Sequence, residues 1–326
     1  MSGGFNMITY GIIGAGWRSE FYLRIATLLP ETFSVSGIFI RNENKRKEFS
    51  EKYNFPIFDN LQDLLNTSFD FIVSCVSKDS IGETARILSE KGVAVLTETP
   101  VTDGKLSGKI QVAEQFHFMP RNQAYKRIID SGILGKVHQV QLSCCHDYHA
   151  ASLIRFFLDL KNEKPKSTSI TLPDTVNRYN GRNGFIEPVV VNGEQKITVL
   201  EFDGKTAVYD FNYEQYFSDI RKNRIIIRGT NGEIVDNTVT YLKDGLPHTF
   251  EIRRNGFGNE ENLDGFSLFN LTGNGEILYD NPFKNSRLSD EEIAIATCLV
   301  KMKDFCETST PFYDTTEAYT DYLLLC

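Results

Sequence analysis

The sequence predicts an α/β protein with two domains. The first is an N-terminal doubly wound parallel sheet, and the second is a C-terminal α+β domain with a large, mainly antiparallel sheet. Short apolar runs alternate with helical patterns over the first third of the chain, and Asn-Gly and Asp-Gly pairs separate β-rich runs further on. Strand–helix–strand repeats build parallel sheets, whereas such dipeptides favour hairpins. We place the domains at residues 1–118 and 119–326, near the usual size of about 150 residues per domain.

The elements of the first domain follow from their hydrophobic periods. Continuously apolar runs are typical of strands covered on both faces, and the segments between them have helical spacing. The predicted strands are Ile8–Gly14, Ser34–Ile40, Asp70–Val76 and Val93–Glu98, and the predicted helices are Ser19–Leu29, Glu43–Tyr53 and Ile81–Gly92.

The connection after the last of these strands is unusual. Glu98-Thr99-Pro100 ends the strand, and another apolar run begins after only nine residues, Val101 to Lys109. A crossover between parallel strands needs about a dozen residues or more, usually including a helix. Either the crossover helix has been lost or residues are missing between Val101 and Lys109.

The pattern changes after residue 118. A helix is predicted after Pro120, then a strand over 136–146, then a helix beginning near Ala150. Type I′ turns need positive φ, which Asn-Gly and Asp-Gly provide. Hairpin turns are therefore predicted at Asn192-Gly193, Asp203-Gly204 and within TNGE, KDGL and GNGE. Two helices close the chain, and Ser289 is the predicted cap of the first.

Composition excludes several classes of protein. The net charge is -8 without a long basic run, which argues against nucleic acid or an anionic membrane as a partner. No apolar stretch approaches the ~20 residues that span a bilayer, and the start lacks the pattern of a signal peptide. We therefore expect a cytoplasmic protein. The spacing of the six cysteines is typical neither of a zinc site nor of a disulfide framework. They are Cys75, Cys144, Cys145, Cys298, Cys306 and Cys326.

A glycine-rich turn joins the first strand to the first helix. Gly14, Gly16 and Ser19 give the pattern G-x-G-x-x-S. The first glycine permits a tight turn, the second lets a pyrophosphate approach the backbone, and the small serine allows close packing of helix on strand. The alternative is a simple glycine-rich turn. The position near the chain start favours a Rossmann dinucleotide site, with Ala15, Trp17 and Arg18 completing the turn.

The end of the second strand bears on the choice of cofactor. An NAD site usually has an acidic residue there, at the ribose 2′-hydroxyl. This chain has Arg41 and Asn42, followed by Lys45 and Arg46. A guanidinium pairs with a 2′-phosphate, so NADP is favoured over NAD. The alternative is that Arg41 covers the adenine. Ser77 and Glu98, at the ends of two later strands, complete the predicted cofactor residues.

Several motifs together resemble the Gfo/Idh/MocA family, the group of glucose–fructose oxidoreductase and inositol dehydrogenase. They are YGIIGAG, the E-x-P of Glu98 and Pro100, VAEQF, GILGKVHQVQ and TTEAYTDYLL. The resemblance implies a Rossmann domain followed by an α/β domain whose sheet often forms the dimer face. It also implies hydride transfer between bound NAD(P) and a sugar-like or cyclitol alcohol or ketone, and a homo-oligomer.

The resemblance also points to catalytic positions, several of which differ here. The family's Glu-Lys-Pro has Thr99 at the lysine, and its D-x-G-x-H-x-x-D signature retains His149 but has Cys145 and Ser152 at the acids. Hydride leaves a carbinol carbon as its hydroxyl proton passes to a base, which a histidine can be and a threonine cannot. His149 is therefore the candidate acid/base with Tyr148 as a donor, and Thr99 can donate a hydrogen bond. The alternative for His149 is a structural histidine.

Two function classes stay open. The first is an NAD(P)-dependent oxidoreductase, and the second is a cofactor-binding sensor or regulatory relative without efficient turnover. Candidate substrate contacts are Gln115, His117 and Arg155, with Tyr179 a further candidate. No metal site is expected, because side chains alternate along a strand and would separate the Cys144-Cys145-His146 cluster.

Overall fold

The structure is a computed structural model that describes residues 6–161, 163–258, 260 and 265–325. Cys326 therefore lies outside the described residues. The chain forms two compact units. The first comprises the chain up to Pro120 with Gly256–Phe269 and Asn281–Tyr322, and the second comprises Arg121–Asn255, Asn270–Asp280 and the chain from Leu323. The domain boundary after residue 118 stays a prediction, and the structure adds two later segments to the first unit.

The first unit contains a six-stranded parallel sheet, as predicted. Its strand order is β3-β2-β1-β4-β5-β6, so the connection reverses direction between β1 and β4. A ligand of a doubly wound sheet lies at such a reversal, at the carboxyl ends of the strands. The strands are β1 (Ile8–Ile13), β2 (Phe33–Phe39), β3 (Ile57–Phe58), β4 (Phe71–Ser74), β5 (Val95–Thr97) and β6 (Ile110–Val112).

Helices cover both faces of this sheet. They are α1 (Trp17–Leu28), α2 (Glu43–Lys52), α3 (Leu61–Leu65), α4 (Ile81–Glu90), α7 (Asp290–Thr308) and α8 (Thr315–Leu325). On one face, Tyr10 of β1 stacks on Phe71 and meets Tyr22 of α1 edge-on. The predicted cap of α7 is confirmed, because Ser289 and Glu292 form a reciprocal capping box there.

Packing on the other face of the sheet explains why the connection between β5 and β6 can be short. These strands are parallel neighbours, and the described residues 98–109 that join them contain no helix. The chain near the start of α8 packs there instead, with Tyr313 and Ala318 in one buried cluster with Val101 and Leu106. Thr315 donates to the carbonyl of Leu106 at 3.0 Å. The helical layer is thus completed from the far end of the sequence.

The second unit contains an eight-stranded sheet that is antiparallel except between β7 and β10, which confirms the predicted fold class. Helix α6 (Asp147–Leu158) packs on β7, and α5 (Pro120–Asp130) precedes it. The strands are β7 (Val137–Ser143), β8 (Lys166–Gly181), β9 (Gly184–Phe202), β10 (Lys205–Asn212), β11 (Arg224–Gly229), β12 (Gly232–Val235), β13 (Thr238–Lys243) and β14 (Leu246–Glu251). A separate three-stranded sheet consists of β15 (Arg253–Phe257), β16 (Ser267–Gly273) and β17 (Glu276–Asp280).

Most predicted hairpin turns are confirmed. Asp203-Gly204 joins β9 to β10, and the dipeptides at 244–245 and 274–275 have positive φ at both residues. The turn predicted at Asn192-Gly193 is wrong, because both residues lie inside β9, where Gly193 pairs with Asp174. A Cβ on Gly193 would lie 3.2 Å from Asn212 Oδ1, so close approach explains this glycine.

Candidate functional site

The turn after β1 forms a cradle of backbone, which we define as residues 14–18. Gly14 has φ +115, and a Cβ there would lie 2.4 Å from the carbonyl oxygen of Cys75. Gly16 caps α1 in an extended conformation, and no heavy atom of the described residues lies within 4 Å of a Cβ built on it. The first glycine is therefore required by the turn, whereas the second leaves space before a helix N-terminus. Ala15 is half-buried between them.

The cradle fits a dinucleotide diphosphate. Amide groups at a helix N-terminus bind phosphate, and Gly16 leaves the approach open. Ser19 is buried and donates to the carbonyl of Gly16 within the first turn of α1. Ser77 follows β4 on an exposed turn, two residues beyond the Cys75 carbonyl that touches Gly14.

The second strand ends with the predicted cations on the surface. Asn42 caps α2 by accepting from the amide of Lys45 at 3.0 Å. Arg46 donates to the carbonyls of Ile40 and Arg41, and Lys45 pairs with Glu48 at 2.7 Å. Arg41 is exposed and has no ion pair among the described residues. Of these three cations, Lys45 has an ion pair, Arg46 bonds to backbone carbonyls, and Arg41 has neither kind of bond among the described residues.

Arg18 turns inward from the cradle to a buried polar cluster. Its Nε lies 3.3 Å from Glu98 Oε2, and its Nη1 lies 2.7 Å from Glu291 Oε1 on α7. Tyr22 donates to the other oxygen of Glu98 at 2.5 Å. Trp17, which is 42% exposed, and Phe21 lie beside the guanidinium of Arg18 at 5.3 and 5.1 Å.

Burial and charge act in opposite directions in this cluster. Burial raises the pKa of Glu98, and the guanidinium of Arg18 opposes that rise without cancelling it. Burial alone would lower the pKa of Arg18, but Glu98 and Glu291 outweigh it and raise that pKa. Arg18 therefore stays charged, and its partners fix the end of β5 to the cradle and α7. Sequence reasoning missed Glu291, because no local motif links α7 to the first strand.

Gln115 and His117 lie on a 3-10 turn over Gln115–Phe118. With its amide oriented to satisfy both atoms, Gln115 accepts from Arg18 Nη2 at 3.3 Å and donates to the carbonyl of Ala113 at 2.8 Å. The His117 ring meets Tyr313 edge-on at 5.0 Å. Thr99 is half-buried directly after Glu98, and the Thr99-Pro100 peptide is cis. The structure thus joins Gln115 and Glu98 through Arg18, and places His117 against Tyr313.

The candidate proton-transfer residues lie at the start of α6, in the second unit. His149 is 3% exposed, and its ring centroid is 4.4 Å from that of Tyr148. Tyr148 and His146 are half-buried, and His146 Nε2 lies 2.7 Å from the Tyr148 hydroxyl. His146 Nδ1 lies 2.8 Å from the hydroxyl of Tyr216. Sequence reasoning considered His146 only as a metal ligand and missed Tyr216, which is 68 residues further along than Tyr148.

Two further candidates bond to other residues. Arg155 is in the last turn of α6, and its Nη2 donates to the carbonyl of Lys161 at 3.2 Å. Tyr179 donates to Asp219 at 2.8 Å. The structure therefore brings Tyr148 and His149 together, and it gives Arg155 and Tyr179 partners outside that pair. Within the described ranges, no group of three or more His, Cys, Asp or Glu side chains could hold a metal ion. In those same ranges, no helix is long and apolar enough to cross a membrane.

Comparison with known proteins identifies the first part of the chain. Residues 8–116 match GFO_IDH_MocA, described as an oxidoreductase family with an NAD-binding Rossmann fold. This region contains the cradle, Arg41, Ser77 and Glu98. The resemblance predicted from sequence is thereby confirmed. No curated protein sequence matches the chain.

Solved structures with the same fold span both units. An oxidoreductase from Agrobacterium radiobacter, in complex with NAD+, L-tartaric acid and magnesium, has 13% identity and a TM-score of 0.65, covering 98% of this chain and 94% of its own. An oxidoreductase from Thermotoga maritima has 16% identity and a TM-score of 0.61, covering 97% and 94%. The WlbA dehydrogenase from Bordetella pertussis, in complex with NADH and UDP-GlcNAcA, has 15% identity and a TM-score of 0.56, covering 74% and 79%. At these identities the likeness establishes the fold.

Proposed function

Because residues 8–116 belong to the Gfo/Idh/MocA family of NAD-binding oxidoreductases, we propose that the protein transfers a hydride between NAD(P) and a sugar-like or cyclitol alcohol or ketone. The nicotinamide supplies or accepts the hydride when the cofactor is bound. The observation that carries the proposal is the cradle, in which Gly16 leaves open space at the N-terminus of α1. A dinucleotide diphosphate has the charge and size for this place.

The proposed site residues have distinct roles. The backbone from Gly14 to Arg18 binds the diphosphate, with Ser77 and Glu98 toward the nicotinamide end. Thr99 donates a hydrogen bond to a substrate oxygen, and Gln115 and His117 are polar contacts for the substrate. In the second unit, His149 and Tyr148 move the hydroxyl proton, and Arg155 stays a candidate substrate contact. General acid–base catalysis of this kind contributes about 10²–10⁴-fold to a rate.

The cofactor we favour is NADP. Arg41 is exposed at the end of β2 and its charge is uncompensated among the described residues, while Lys45 and Arg46 have partners. A guanidinium binds a phosphate through two parallel hydrogen bonds, which a 2′-hydroxyl cannot accept. We also propose a homo-oligomer, supported by the uncovered face of the large sheet, where Val199 and Val235 are 40% and 37% exposed. Cytoplasmic location stays a prediction.

A second candidate is a cofactor-binding sensor or regulator without efficient turnover. Thr99 cannot act as a base, and Cys145 and Ser152 stand where the family has acids. His149 is buried at 3% exposure, which limits its access to a substrate. These observations favour binding over catalysis, and they leave the cradle unaffected.

A turnover assay separates the candidates. The protein is mixed with NADP+ or NAD+ and a panel that includes myo-inositol, glucose, gluconate and a nucleotide sugar, and reduced nicotinamide is followed by absorbance. We expect turnover that falls at least 100-fold in Tyr148→Phe or His149→Gln. The control is His138→Gln, since His138 contacts the carbonyl of Lys136 outside this group. Tight cofactor binding with no turnover, and no effect of either variant, would establish the second candidate.

A further inference from the structure

We propose that His146 is a positioning residue that accepts the proton of the Tyr148 hydroxyl at one ring nitrogen while the hydroxyl oxygen of Tyr216 holds the other. The inference rests on the proposed oxidoreductase function, since it concerns the same proton transfer. We call His146, Tyr148 and Tyr216 the relay. Tyr148 is the member that meets the substrate, and His146 acts through it.

The geometry of the relay is continuous. His146 Nε2 lies 2.7 Å from the Tyr148 hydroxyl, and Nδ1 lies 2.8 Å from the Tyr216 hydroxyl. The backbone amide of His146 also donates to the Tyr216 hydroxyl oxygen at 3.0 Å, which fixes that oxygen beside the ring. Both nitrogens of the His146 imidazole thus face phenol oxygens at hydrogen-bond distance. When one nitrogen gains a proton, both N–H groups of the imidazolium have an oxygen to which they can donate.

Exposure favours Tyr148 over His149 as the group that a substrate reaches. His149 is 3% exposed, whereas Tyr148 and His146 are half-buried and Tyr216 is 38% exposed. The ring of His149 packs on Tyr148 and lies 5.2 Å from that of His146. Of the pair proposed to move the hydroxyl proton, Tyr148 is therefore the member whose hydroxyl meets the substrate, and His149 lies behind it in ring contact.

In alcohol oxidation, the proton and the hydride leave the substrate for different acceptors. The substrate hydroxyl gives its proton to the Tyr148 oxygen as the Tyr148 hydroxyl proton passes to His146 Nε2. The carbinol hydride leaves to the oxidised nicotinamide, and a C=O bond forms. His146 becomes an imidazolium whose Nδ1–H donates to the Tyr216 oxygen, and it later releases one proton to water. Ketone reduction runs through the same atoms in reverse.

Other titratable groups also lie near His146. Cys144 and Cys145 precede it, with their sulfurs 3.6 Å apart, and Tyr213 lies at 6.3 Å between ring centroids. The next residue, Asp147, is directed to Tyr209 at 3.1 Å and to Lys196 at 3.4 Å. Burial raises the pKa of Tyr216, so Tyr216 keeps its hydroxyl proton across the working range of a histidine.

The first test is the pH profile of turnover in Tyr216→Phe. Removing the oxygen that accepts from the imidazolium makes protonation of His146 less favourable. Because a hydrogen bond to a charged group is worth more than one to a neutral group, the acid limb should move about 0.5 to 1 pH unit lower. His146→Gln should lose about 100-fold in kcat. Tyr213→Phe is the matched control, because it removes a hydroxyl from the same aromatic cluster and should leave the limb in place.

The second test does not depend on turnover. The chain has five histidines, so the His146 ring signals can be assigned by their loss in His146→Gln and titrated by NMR. We expect the His146 midpoint to fall in Tyr216→Phe and in Tyr148→Phe, and to stay in Tyr213→Phe. A midpoint that does not move in either of the first two variants would overturn the relay.

The outcomes separate this inference from the proposed function. Turnover with an unshifted acid limb in Tyr216→Phe would overturn the relay and leave the oxidoreductase standing. Absence of turnover with both cofactors would overturn the oxidoreductase, and with it any catalytic role for the relay. In that case a shifted His146 midpoint would support the hydrogen-bond chain alone.

Discussion

The cradle after β1 and the start of α6 prepare for a ligand in different ways. In the cradle the contacts for a ligand are backbone amides, and shape alone provides them: Gly14 makes the turn and Gly16 leaves it open. At the start of α6 the contacts are side chains, and His146, Tyr148 and Tyr216 already bond to one another. In the proposed function, binding thus depends on two glycines, whereas proton transfer depends on a side-chain network that single substitutions can redirect.

The difference explains how the chain can retain one function and alter the other. A backbone cradle tolerates almost any side chain that points away from it, including Trp17 and an inward Arg18. A proton-transfer group must have the right chemistry at the right atom. The resemblance implies a lysine and two acids at the positions of Thr99, Cys145 and Ser152, while Gly14 and Gly16 of the cradle are present.

The largest effect should come from comparing the two glycines of the cradle. Gly14→Val forces a β-branched residue to φ +115 and into the Cys75 carbonyl, so we expect the free energy of unfolding to fall by about 4 kcal/mol. A Cβ on Gly16 would meet no described atom within 4 Å beyond its chain neighbours, so Gly16→Val should cost only about 1 kcal/mol, from the poorer N-cap, while cofactor affinity falls at least 100-fold. Urea unfolding and calorimetry measure both. Equal loss of stability in the two variants would contradict the account of the cradle.

A smaller effect is expected from the cluster behind the cradle. Arg18→Met removes the cation shared by Glu98 and Glu291 and leaves two carboxylates in a buried place. Breaking a buried pair in this way costs about 3 kcal/mol of unfolding free energy. Lys47→Met is the control, because Lys47 and its partner Glu43 are both 68% exposed and the pair should be worth less than about 1 kcal/mol. If the two variants lose the same stability, Arg18 does not hold the cluster together.

Glu98 in the first unit and Asp174 in the second should change the free energy of unfolding in opposite directions as pH rises. The pKa of Glu98 is raised, chiefly by burial, so its stabilisation is complete below the unfolded value of 4.5 and is lost as pH rises through the folded pKa. The pKa of Asp174 is lowered to about 2, chiefly by hydrogen bonds from Arg221, so its stabilisation is present above the unfolded value of 3.8 and is lost as pH falls toward 2.

Urea unfolding between pH 3 and pH 7 measures how the free energy of unfolding of each variant changes with pH. Relative to wild type, Glu98→Gln should gain stability as pH rises. Asp174→Asn should lose stability over the same range, by about 1 kcal/mol after solvent screening. Parallel trends in the two variants would show that one of the two assigned directions is wrong.

The smallest expected effect concerns cofactor choice. Arg41→Gln should weaken NADPH about 10-fold and leave NADH unchanged, because only NADPH carries the 2′-phosphate. Lys45→Gln is the control, since Lys45 is paired with Glu48 and should change neither affinity much. Equal weakening of both cofactors would place Arg41 at the adenine, and no weakening would remove it from the site.

The features that could be predicted from the sequence are those that a few adjacent residues determine. The strand–turn–helix around Gly14, the cap at Ser289 and the turn at Asp203-Gly204 each depend on a few adjacent residues, and all three are present. Gly193 was mistaken for a turn because a glycine needed for close approach in a long strand has the same local pattern. Local sequence does not distinguish these two uses.

The parts that could not be predicted depend on distant residues. Tyr313 fills the layer left by the missing crossover helix from more than 200 positions away, and Glu291 reaches Arg18 from the far end of the chain. The pairing of His146 with Tyr216 depends on the turn after β10. In each case two short patterns were visible in the sequence, and only the tertiary fold shows that they meet.

The central claim is that the backbone after β1 holds a dinucleotide diphosphate. Isothermal titration calorimetry of wild type and Gly16→Val with NADPH and with NADH tests it most directly. The account predicts one site per chain, tighter for NADPH, and loss of both titrations in Gly16→Val with a loss of stability much smaller than that of Gly14→Val. Absence of heat with both cofactors in wild type, or undiminished binding in Gly16→Val, would contradict it.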